Sequence, residues 1–599
     1  MKNRLSFIAA VLLAAVISIA SFKESWDGLL RWDVAGYYAY LPSMVIYDDM
    51  GYEDRETWDK LWKKYEISPT PYQFHEVEGR KERVDQYPAG MSVMYTPAFF
   101  AAHWFGNGEK DGFSHPYRTA LGWWSIGIAV LGIFFLRKVL LHFFSDAISS
   151  AVLVLIFSAT NYYIQISQGL LTPHNYLFTL YAFYLWMVIK WFDTYRLRYM
   201  VGLSLTLALA CLSRPTELIA ILIPLFWKGS PRIVLRELWQ NHRRPLYVAS
   251  AIMVLVGCIQ FIYWKKTTGH FLFMSYANPA EGLDFLYPHT LDFLFSYRKG
   301  WLIYTPLVWI AWLGFIEVFK NRTNIRWSLL VFFIVYIYVV SSWSNWWYAQ
   351  SFSQRSMVQS LPVLAILLGF ALQWMARQSA RWIMYIGVTG ITLFTIFQQW
   401  QYREGILEAS RMTGPYYWAV FGQTEKPDGV DSLLLINRAF DGSQGRMERY
   451  KYQETHRYSL QSLHPEELDS VVAEMGTVPL EILNADHPYT KAIGRRFSEC
   501  TFEDHLWLEI DAEVYFPDSA KVEDLLLVAS AEHAGKPYGY RTYAISESVH
   551  QPGQWNTLHV EYLTPEMRIP RDKLRVFLWY RGHQTVYCRD VVVKEMTKK

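Results

Sequence analysis

The feature that most constrains this chain is a series of long apolar runs between Leu5 and Trp400. A helix needs about 20 mostly apolar residues to cross a bilayer. Candidate segments lie near residues 5–22, 119–136, 147–164, 172–192, 199–213, 216–227, 245–264, 301–319, 328–343, 356–375 and 382–400. The sequence therefore predicts a polytopic α-helical membrane protein with about eleven spans.

The orientation depends on the pair 199–213 and 216–227, which is interrupted by Ser213-Arg214-Pro215 and is either two spans or one kinked helix. With two spans and the N-terminus inside, Lys and Arg are dense in every second loop, on both sides of the break, as the positive-inside rule requires. The loop 23–118 and the tail after residue 400 then face outward, into the periplasm of a bacterium. The first span is either a membrane anchor or a cleaved signal peptide, and the topology is the same in both cases.

The tail differs in composition from the membrane part, because charged residues become dense after Arg403. Residues 401–497 form a mixed connecting region that includes a predicted helix over 465–475. Alternating apolar runs separated by Pro and Gly then predict a β-sandwich over 498–599, similar to a jelly roll, with strands at 506–512, 525–530, 555–562 and 574–580. Cys500 and Cys588 are predicted in its first and last strands, where a disulfide is plausible in an oxidising compartment.

Composition also limits the partners. A net charge of +3 does not point to nucleic acid, and the four Cys do not form a zinc pattern. Aromatic residues make up 17% of the chain, including 26 Trp. Such a content is typical of membrane-interface belts and of cavities that hold sugars.

The outer loop carries the first candidate for chemistry. Asp33 stands among aromatic residues at 32–40, and an apolar stretch that ends near Phe105 is predicted to be an interfacial helix. A carboxylate in this place is either a general base or cation ligand, or a surface residue that caps a turn.

Four segments in order resemble the GT-C superfamily of membrane glycosyltransferases, especially bacterial proteins similar to protein O-mannosyltransferases and to the lipid A aminoarabinose transferase. They are Trp-Asp-x-x-Gly-Tyr-Tyr-x-Tyr-Leu-Pro at 32–42 with Tyr-Pro-x-Gly at 87–90, Ser-Arg-Pro at 213–215, Arg-Lys-Gly-Trp-Leu-Ile-Tyr-Thr-Pro at 298–306, and the Trp-rich segment 343–355 that ends in Arg355. The resemblance covers about residues 1–400.

This resemblance implies transfer of a sugar from a polyprenyl-phosphate donor to a glycan, lipid or protein acceptor on the outer face, with Asp33 as the catalytic residue. The sequence departs from the family at three places. Val34 stands where many relatives have a second acid, Thr172-Pro173-His174-Asn175 replaces a further Asp, and Ala349-Gln350 replaces a glycine pair. Asp33, His174 and Asn175 are a poor ligand set for a divalent cation, so no metal or other cofactor is expected.

The chemistry assigns a role to each further candidate. Asp33 would accept the proton of the acceptor hydroxyl in a reaction expected to be inverting. The leaving phosphate would be stabilised by Arg355, Arg214, Arg298 and Lys299. Sugar or acceptor would be positioned by Tyr37, Tyr38, His174, Asn175, Trp346 and Trp347.

Less specific interpretations exist for these residues. Cations near a bilayer also snorkel to lipid headgroups, and Glu217, one turn after Arg214, is a candidate partner for that arginine. Two other functions are compatible with the pattern. One is a transporter or flippase of lipid-linked sugars, although no internal repeat is visible. The other is a non-catalytic membrane protein whose β-sandwich binds a glycan.

Overall fold

The protein, in a computed structural model, is described over residues 3–22, 26–276, 278, 280–321, 323–438, 447–459, 481–517, 521–544 and 553–599. It divides into two compact units. The helical unit comprises Met1–Ala277 and Leu283–Leu434, and the sheet unit comprises Asn278–Gly282 and Leu435–Lys599. The boundary at Leu434 falls inside the region 401–497, and the predicted helix over 465–475 lies outside the described residues.

The helical unit consists of α-helices, one small hairpin and three short 3-10 helices. The α-helices are α1 Arg4–Ser21, α2 Asp33–Val45, α3 Arg55–Lys64, α4 Gly90–Phe105, α5 His115–Phe143, α6 Asp146–Ser158, α7 Tyr162–Gln168, α8 Pro173–Thr194, α9 Leu197–Ser213, α10 Leu222–Leu225, α11 Pro231–Asn241, α12 Arg243–Thr268, α13 Thr290–Phe295, α14 Trp301–Tyr304, α15 Leu307–Lys320, α16 Arg326–Ser341, α17 Leu361–Met375, α18 Arg381–Arg403 and α19 Gly414–Val420. The hairpin is β1 Phe74–Glu76 with β2 Arg83–Asp85, and the 3-10 helices are Pro215–Ile221, Arg355–Ser360 and Val430–Leu433.

Each predicted span coincides with a helical segment. Among the described residues, α1, α5, α12 and the helix Arg355–Met375 are long and apolar enough to cross a membrane, and α6 with α7, bent by 55°, would be a fifth. The helical unit is therefore that of a membrane protein. The predicted number of eleven is not reached by length and hydropathy alone.

The chain breaks at Arg214, as the sequence indicates. α9 ends at Ser213, Arg214 adopts an extended backbone with φ −149° and ψ 112°, and a 3-10 helix starts at Pro215. Proline has no N–H to continue the helix and disfavours the helical conformation of the residue before it. The chain just before the break lies against the start of α4, because a Cβ on Gly90 would lie 2.3 Å from the Ser213 nitrogen.

The outer loop folds around a cluster of aromatic side chains. Tyr52 stacks on Phe74 with ring centroids 4.0 Å apart, and Trp58 and Trp62 close the cluster. The predicted interfacial segment forms α4, which ends on an exposed Phe105. This packing fixes the loop that carries Asp33.

The sheet unit is a β-sandwich. Its strands are β3 Tyr452–Ser459, β4 Glu481–Leu483, β5 Ile493–Arg496, β6 Trp507–Tyr515, β7 Leu525–His533, β8 Lys536–Pro537, β9 Arg541–Ala544, β10 Trp555–Leu563, β11 Lys573–Tyr580 and β12 Val586–Lys598. One sheet has the order β10-β6-β12-β3 with β4 also on β12, and the other has the order β5-β11-β7-β8 with β9 also on β7. Alternate residues of both sheets, among them Ile510, Leu527 and Val576, share one core. The predicted fold class, a helical membrane region followed by a β-sheet domain, is confirmed.

The prediction that Cys500 lies in a strand is wrong, and the disulfide that the sequence left open is not formed. Cys500 ends the one-turn helix α20 Phe497–Cys500 rather than lying in a strand, although Cys588 does lie in the last strand. Both thiols are free and buried. Each has its own acceptor, since Cys500 donates to the Arg496 carbonyl at 3.2 Å and Cys588 to the Asp590 carbonyl at 3.7 Å.

Candidate active site

Asp33 is the first residue of α2 and follows a strained backbone position. Trp32 has φ 56° and ψ −133°, a combination that is unfavourable for a residue with a Cβ. The surrounding loop holds it there, because the Trp32 N–H donates to the Ile67 carbonyl at 3.0 Å and the Gln73 amide donates to the Trp32 carbonyl at 3.0 Å. The Asp33 side chain is thereby fixed at the positive end of a helix.

The two oxygens of the Asp33 carboxylate have different surroundings. Oδ1 accepts hydrogen bonds from the hydroxyls of Tyr72 and Tyr87, each at 2.8 Å. Oδ2 lies 3.6 Å from Nη2 of Arg355, and the side chain of Asp33 is 40% exposed. Burial, and then the charge of Asp33, raise the pKa of both tyrosines above its usual range, so each hydroxyl keeps the proton that it donates. Oδ2 is therefore the oxygen available to a ligand.

Tyr87 reaches Asp33 because residue 36 is a glycine. A Cβ on Gly36 would lie 2.3 Å from Cδ2 of Tyr87, so only glycine admits the ring here. Tyr37 packs on the other side of this contact, with ring centroids 4.5 Å from Tyr87. The segments 32–42 and 87–90 therefore pack against each other beside the carboxylate of Asp33.

Arg355 begins the 3-10 helix Arg355–Ser360 at the end of the Trp-rich segment. Its Nε is buried and has no hydrogen-bond partner in the part of the chain that the structure describes. A guanidinium donor left in this state is costly unless an acceptor arrives. Arg355 is therefore suited to an anionic ligand.

Arg214 lies at the break after α9 and is held by a buried polar network. Its Nη1 is 3.4 Å from Nε2 of His174, and its Nε is 3.9 Å from Oε1 of Glu217. Nδ1 of His174 lies 3.0 Å from Oε1 of Gln359, whose amide donates to Glu217 at 3.0 Å. The hydroxyl of Tyr181 donates to the second oxygen of Glu217 at 2.7 Å.

The network determines the state of His174. Oε1 of Gln359 can only accept, so Nδ1 of His174 carries the hydrogen and Nε2 is an acceptor that faces Arg214. Glu217, the predicted partner of Arg214, and His174, which was predicted to position sugar or acceptor, both contact Arg214 and therefore help to orient it. Gln359 was not predicted, because an amide in an apolar helix gives no pattern in the sequence.

Arg214 and Arg355 both influence the hydroxyl of Tyr37 electrostatically. Burial raises the pKa of Tyr37 above its usual range; Arg214 opposes this, Asp33 adds to it, and Arg355 opposes it. Electrostatic influence at one hydroxyl falls off with distance. Asp33, Arg214 and Arg355, which lie far apart in the sequence, therefore all act electrostatically on Tyr37.

Lys299 and Arg298 approach from the loop before α14. Lys299 is 1% exposed and donates to the carbonyl of Ser351, while burial, and next the charge of Arg355, lower its pKa well below the usual range. Arg298 lies over Trp347, with its guanidinium carbon 3.8 Å from the ring centroid, and donates to the Ser410 carbonyl at 2.6 Å. Burial and the repulsion from Arg355 thus favour the neutral amine of Lys299, which is held by the Ser351 carbonyl.

Three predicted positioning residues have the environment of packing residues. Tyr38 is fully buried and donates to the carbonyl of Gly112. Asn175 is fully buried and donates to the carbonyl of Leu170 at 2.9 Å. Trp346 is 9% exposed and lies against Trp347, with centroids 5.9 Å apart.

The residues considered for a divalent cation do not fit one. The carboxylate of Asp33 faces a guanidinium, the imidazole of His174 is shared between Gln359 and Arg214, and the amide of Asn175 lies in the core. No group of three or more His, Cys, Asp or Glu is placed to hold a metal ion within the described ranges.

The Trp-rich segment contains three residues with positive φ. Ala349 has φ 52°, as does Tyr348, and Ser353 has φ 55°. Residues with a Cβ enter this left-handed region at a cost of roughly 1–2 kcal/mol each. The surrounding structure therefore holds the segment before Arg355 in a strained conformation.

No protein-family model matches the chain, and no curated protein matches it. Among solved structures, the archaeal oligosaccharyltransferase AglB from Archaeoglobus fulgidus, in complex with an inhibitory peptide and a dolichol-phosphate, is similar with a TM-score of 0.41 and 11% sequence identity. The similarity covers 72% of this chain and 59% of that chain, so this chain spans less than two thirds of the length of AglB.

Proposed function

We propose that this protein is a membrane glycosyltransferase of the GT-C type. It transfers a sugar from a polyprenyl-phosphate donor to a glycan, lipid or protein acceptor on the outer, periplasmic face of a bacterial inner membrane. The observation that carries the proposal is the contact of Asp33 with Arg355 at 3.6 Å, beside a buried guanidinium Nε without a partner. Asp33, the proposed base, therefore lies next to Arg355, the proposed anion-binding residue.

The geometry supports a single displacement. Arg355, assisted by Arg214, holds the phosphate of the donor. Oδ2 of Asp33 takes the proton of the acceptor hydroxyl while its oxygen bonds to the anomeric carbon. The bond from that carbon to the phosphate oxygen breaks, and polyprenyl phosphate leaves with the electron pair, which inverts the configuration of the sugar.

Substrate binding has to part the charged pair. Reacting atoms need about 3–3.5 Å between them before reaction, and the 3.6 Å between Asp33 and Arg355 leaves no room for a sugar. The donor phosphate takes over the donors of Arg355, and Oδ2 of Asp33 turns to the acceptor. Oδ1 stays anchored by Tyr72 and Tyr87.

The first test measures release of polyprenyl phosphate from a panel of polyprenyl-phosphate sugars by the purified full-length protein. Asp33→Asn is expected to lower kcat by about 100- to 10,000-fold because the base is lost. Arg355→Lys is expected to lower kcat by about 100-fold or more because one phosphate donor set is lost. Asp59→Asn, at an exposed position of α3, serves as the matched control.

Unchanged turnover in Asp33→Asn would exclude the proposed base. Binding of the donor without release of polyprenyl phosphate would favour a transporter of lipid-linked sugars. Retention of the configuration at the anomeric carbon, read by NMR on the first product, would exclude single displacement.

A further inference from the structure

A small cavity in the helical unit has no part in the proposed reaction. It is a shallow depression open to solvent and is lined by Gly28, Leu30, Arg31, Tyr65, Phe113 and Arg118. Two arginines on one cavity repel each other unless an anion lies between them. The cavity between Arg31 and Arg118 is therefore suited to an anionic ligand.

Both arginines have a donor that is not used within the described residues. Nε of Arg31 and Nε of Arg118 are buried and have no hydrogen-bond partner. Their outer nitrogens are engaged at 2.5 Å, Arg31 with Glu66 and Arg118 with Asp27. The side chains of Glu66 and Asp27 are 77% and 66% exposed, so water screens these pairs and the positive charge at the cavity is only partly balanced.

The walls of the cavity hold the two guanidinium groups in place. Gly28 has φ 76°, and a Cβ there would lie 3.4 Å from Cδ and Nε of Arg31, so the glycine allows the arginine to fold over the backbone. The guanidinium of Arg118 lies 5.6 Å from the ring centroid of Tyr65. That ring stacks on Phe113 at 5.9 Å, and its hydroxyl donates to Asp111.

The position of Arg118 links the cavity to the membrane surface. Arg118 lies in the first turn of α5, whose N-terminal end adds positive potential. α5 is one of the helices long and apolar enough to cross a membrane. Trp123 and Trp124, further along α5, are 50% and 36% exposed, as is typical of tryptophans at headgroup depth.

We propose that Arg31 and Arg118 form a binding site for one phosphate-class anion, either the phosphodiester of an anionic phospholipid or free phosphate. A phosphate offers several acceptor oxygens, and each Nε needs one. This site concerns binding and not turnover, so it does not depend on the proposed function.

The test uses the full-length protein in detergent and native mass spectrometry with phosphatidylglycerol, with phosphatidylcholine as the lipid of zero net charge. A saturable adduct of one phosphatidylglycerol is expected. Arg31→Lys and Arg118→Lys keep the charge and lose Nε, and each is expected to bind about tenfold more weakly. Arg55→Lys is the matched control, since Arg55 also pairs with a glutamate of the same loop, Glu76 at 2.6 Å.

A second arm separates the two sources of phosphate. Stabilisation of the protein against heat by inorganic phosphate, compared with chloride at equal ionic strength, would assign the site to phosphate itself. An effect of phosphatidylglycerol alone would assign it to the lipid headgroup. The proposal is overturned if neither binds one to one, or if Arg55→Lys weakens binding as much as the two cavity variants, whose folding is checked by their melting temperatures.

Discussion

At the scale of single residues, the two hydroxyls on Oδ1 of Asp33 determine which oxygen can meet a substrate. Tyr87→Phe removes one donor at 2.8 Å and keeps the ring, so the carboxylate loses orientation. A hydrogen bond to a charged group contributes roughly 1.5–3 kcal/mol. We expect kcat to fall by about tenfold or more, with KM for the donor nearly unchanged, in the polyprenyl-phosphate release assay.

Tyr72→Phe is expected to act in the same way, and Tyr247→Phe, at an exposed position of α12, is the control. A change confined to KM would contradict the orienting role. Gly36→Ala provides an independent approach, because its methyl group would push the ring of Tyr87 away from Asp33. It should reproduce the loss of kcat without touching either hydroxyl.

The network behind Arg214 makes a prediction about stability. Gln359→Leu leaves Nδ1 of His174 and Oε1 of Glu217 without their partner. Each buried polar group left unsatisfied costs roughly 1–3 kcal/mol. Unfolding in mixed micelles should show a loss of this size, together with a raised KM for the donor because Arg214 is no longer oriented.

Gln240→Leu, on an exposed position of α11, is the control for that substitution. Equal stability of Gln359→Leu and the parent protein would mean that water or lipid replaces the amide. A loss of stability without any change in KM would show that the network does not orient Arg214 for donor binding.

Sequence reasoning reached part of this site. Asp33, Arg214 and Arg355 stand in recognisable motifs, the structure pairs Asp33 with Arg355 at 3.6 Å, and all three act electrostatically on Tyr37. Tyr72 could not be predicted, because it lies outside every motif and meets Asp33 only through the fold of the outer loop.

At the scale of elements, the backbones of α4 and α9 approach each other closely in the site region. A Cβ on Gly90 would lie 2.3 Å from the Ser213 nitrogen and 2.5 Å from the Leu212 carbonyl carbon, so the backbones touch. Gly90→Ala forces the two helices apart, and overpacking of this kind costs roughly 1–3 kcal/mol. We expect a lower melting temperature and weaker donor binding, since Arg214 follows directly.

Gly127→Ala, on α5, is a matched control because no atom lies within 4 Å of the new methyl group. Helix propensity should make that variant neutral or slightly more stable. A Gly90→Ala protein as stable as Gly127→Ala would show that the α4–α9 contact can open without penalty.

Elements were predictable where one physical signal dominates. Apolar runs placed the helices, Pro215 placed the break after α9, and alternation placed β6, β7, β10 and β11. Cys500 was misplaced because a single helical turn before β6 has no periodicity to detect. The number of spans stays a prediction, since short helices reach the membrane criteria only together with their neighbours.

At the scale of the whole molecule, the four thiols are predicted to be independent of one another. Burial, with Glu595 near Cys500 and Glu481 near Cys588, raises the pKa of each of these two thiols to about 12, so both stay protonated and unreactive in the folded protein. Alkylation after unfolding should modify four cysteines with or without a reductant. If two cysteines stayed unmodified in the absence of reductant, the prediction that all four thiols are free would be wrong.

The melting temperature gives a second readout. A reductant should leave the unfolding transition of the full-length protein unchanged, because no cross-link restrains the unfolded chain. A transition that falls on reduction would require a disulfide between Cys500 and Cys588.

The contact between Asp33 and Arg355 also has a consequence for biosynthesis. More than half of the chain separates the two residues, and ribosomes add about 5–20 residues per second. Arg355 is therefore translated some tens of seconds after Asp33. During that interval the nascent chain holds Asp33 without Arg355, and the ion pair between them can form only after both have been translated.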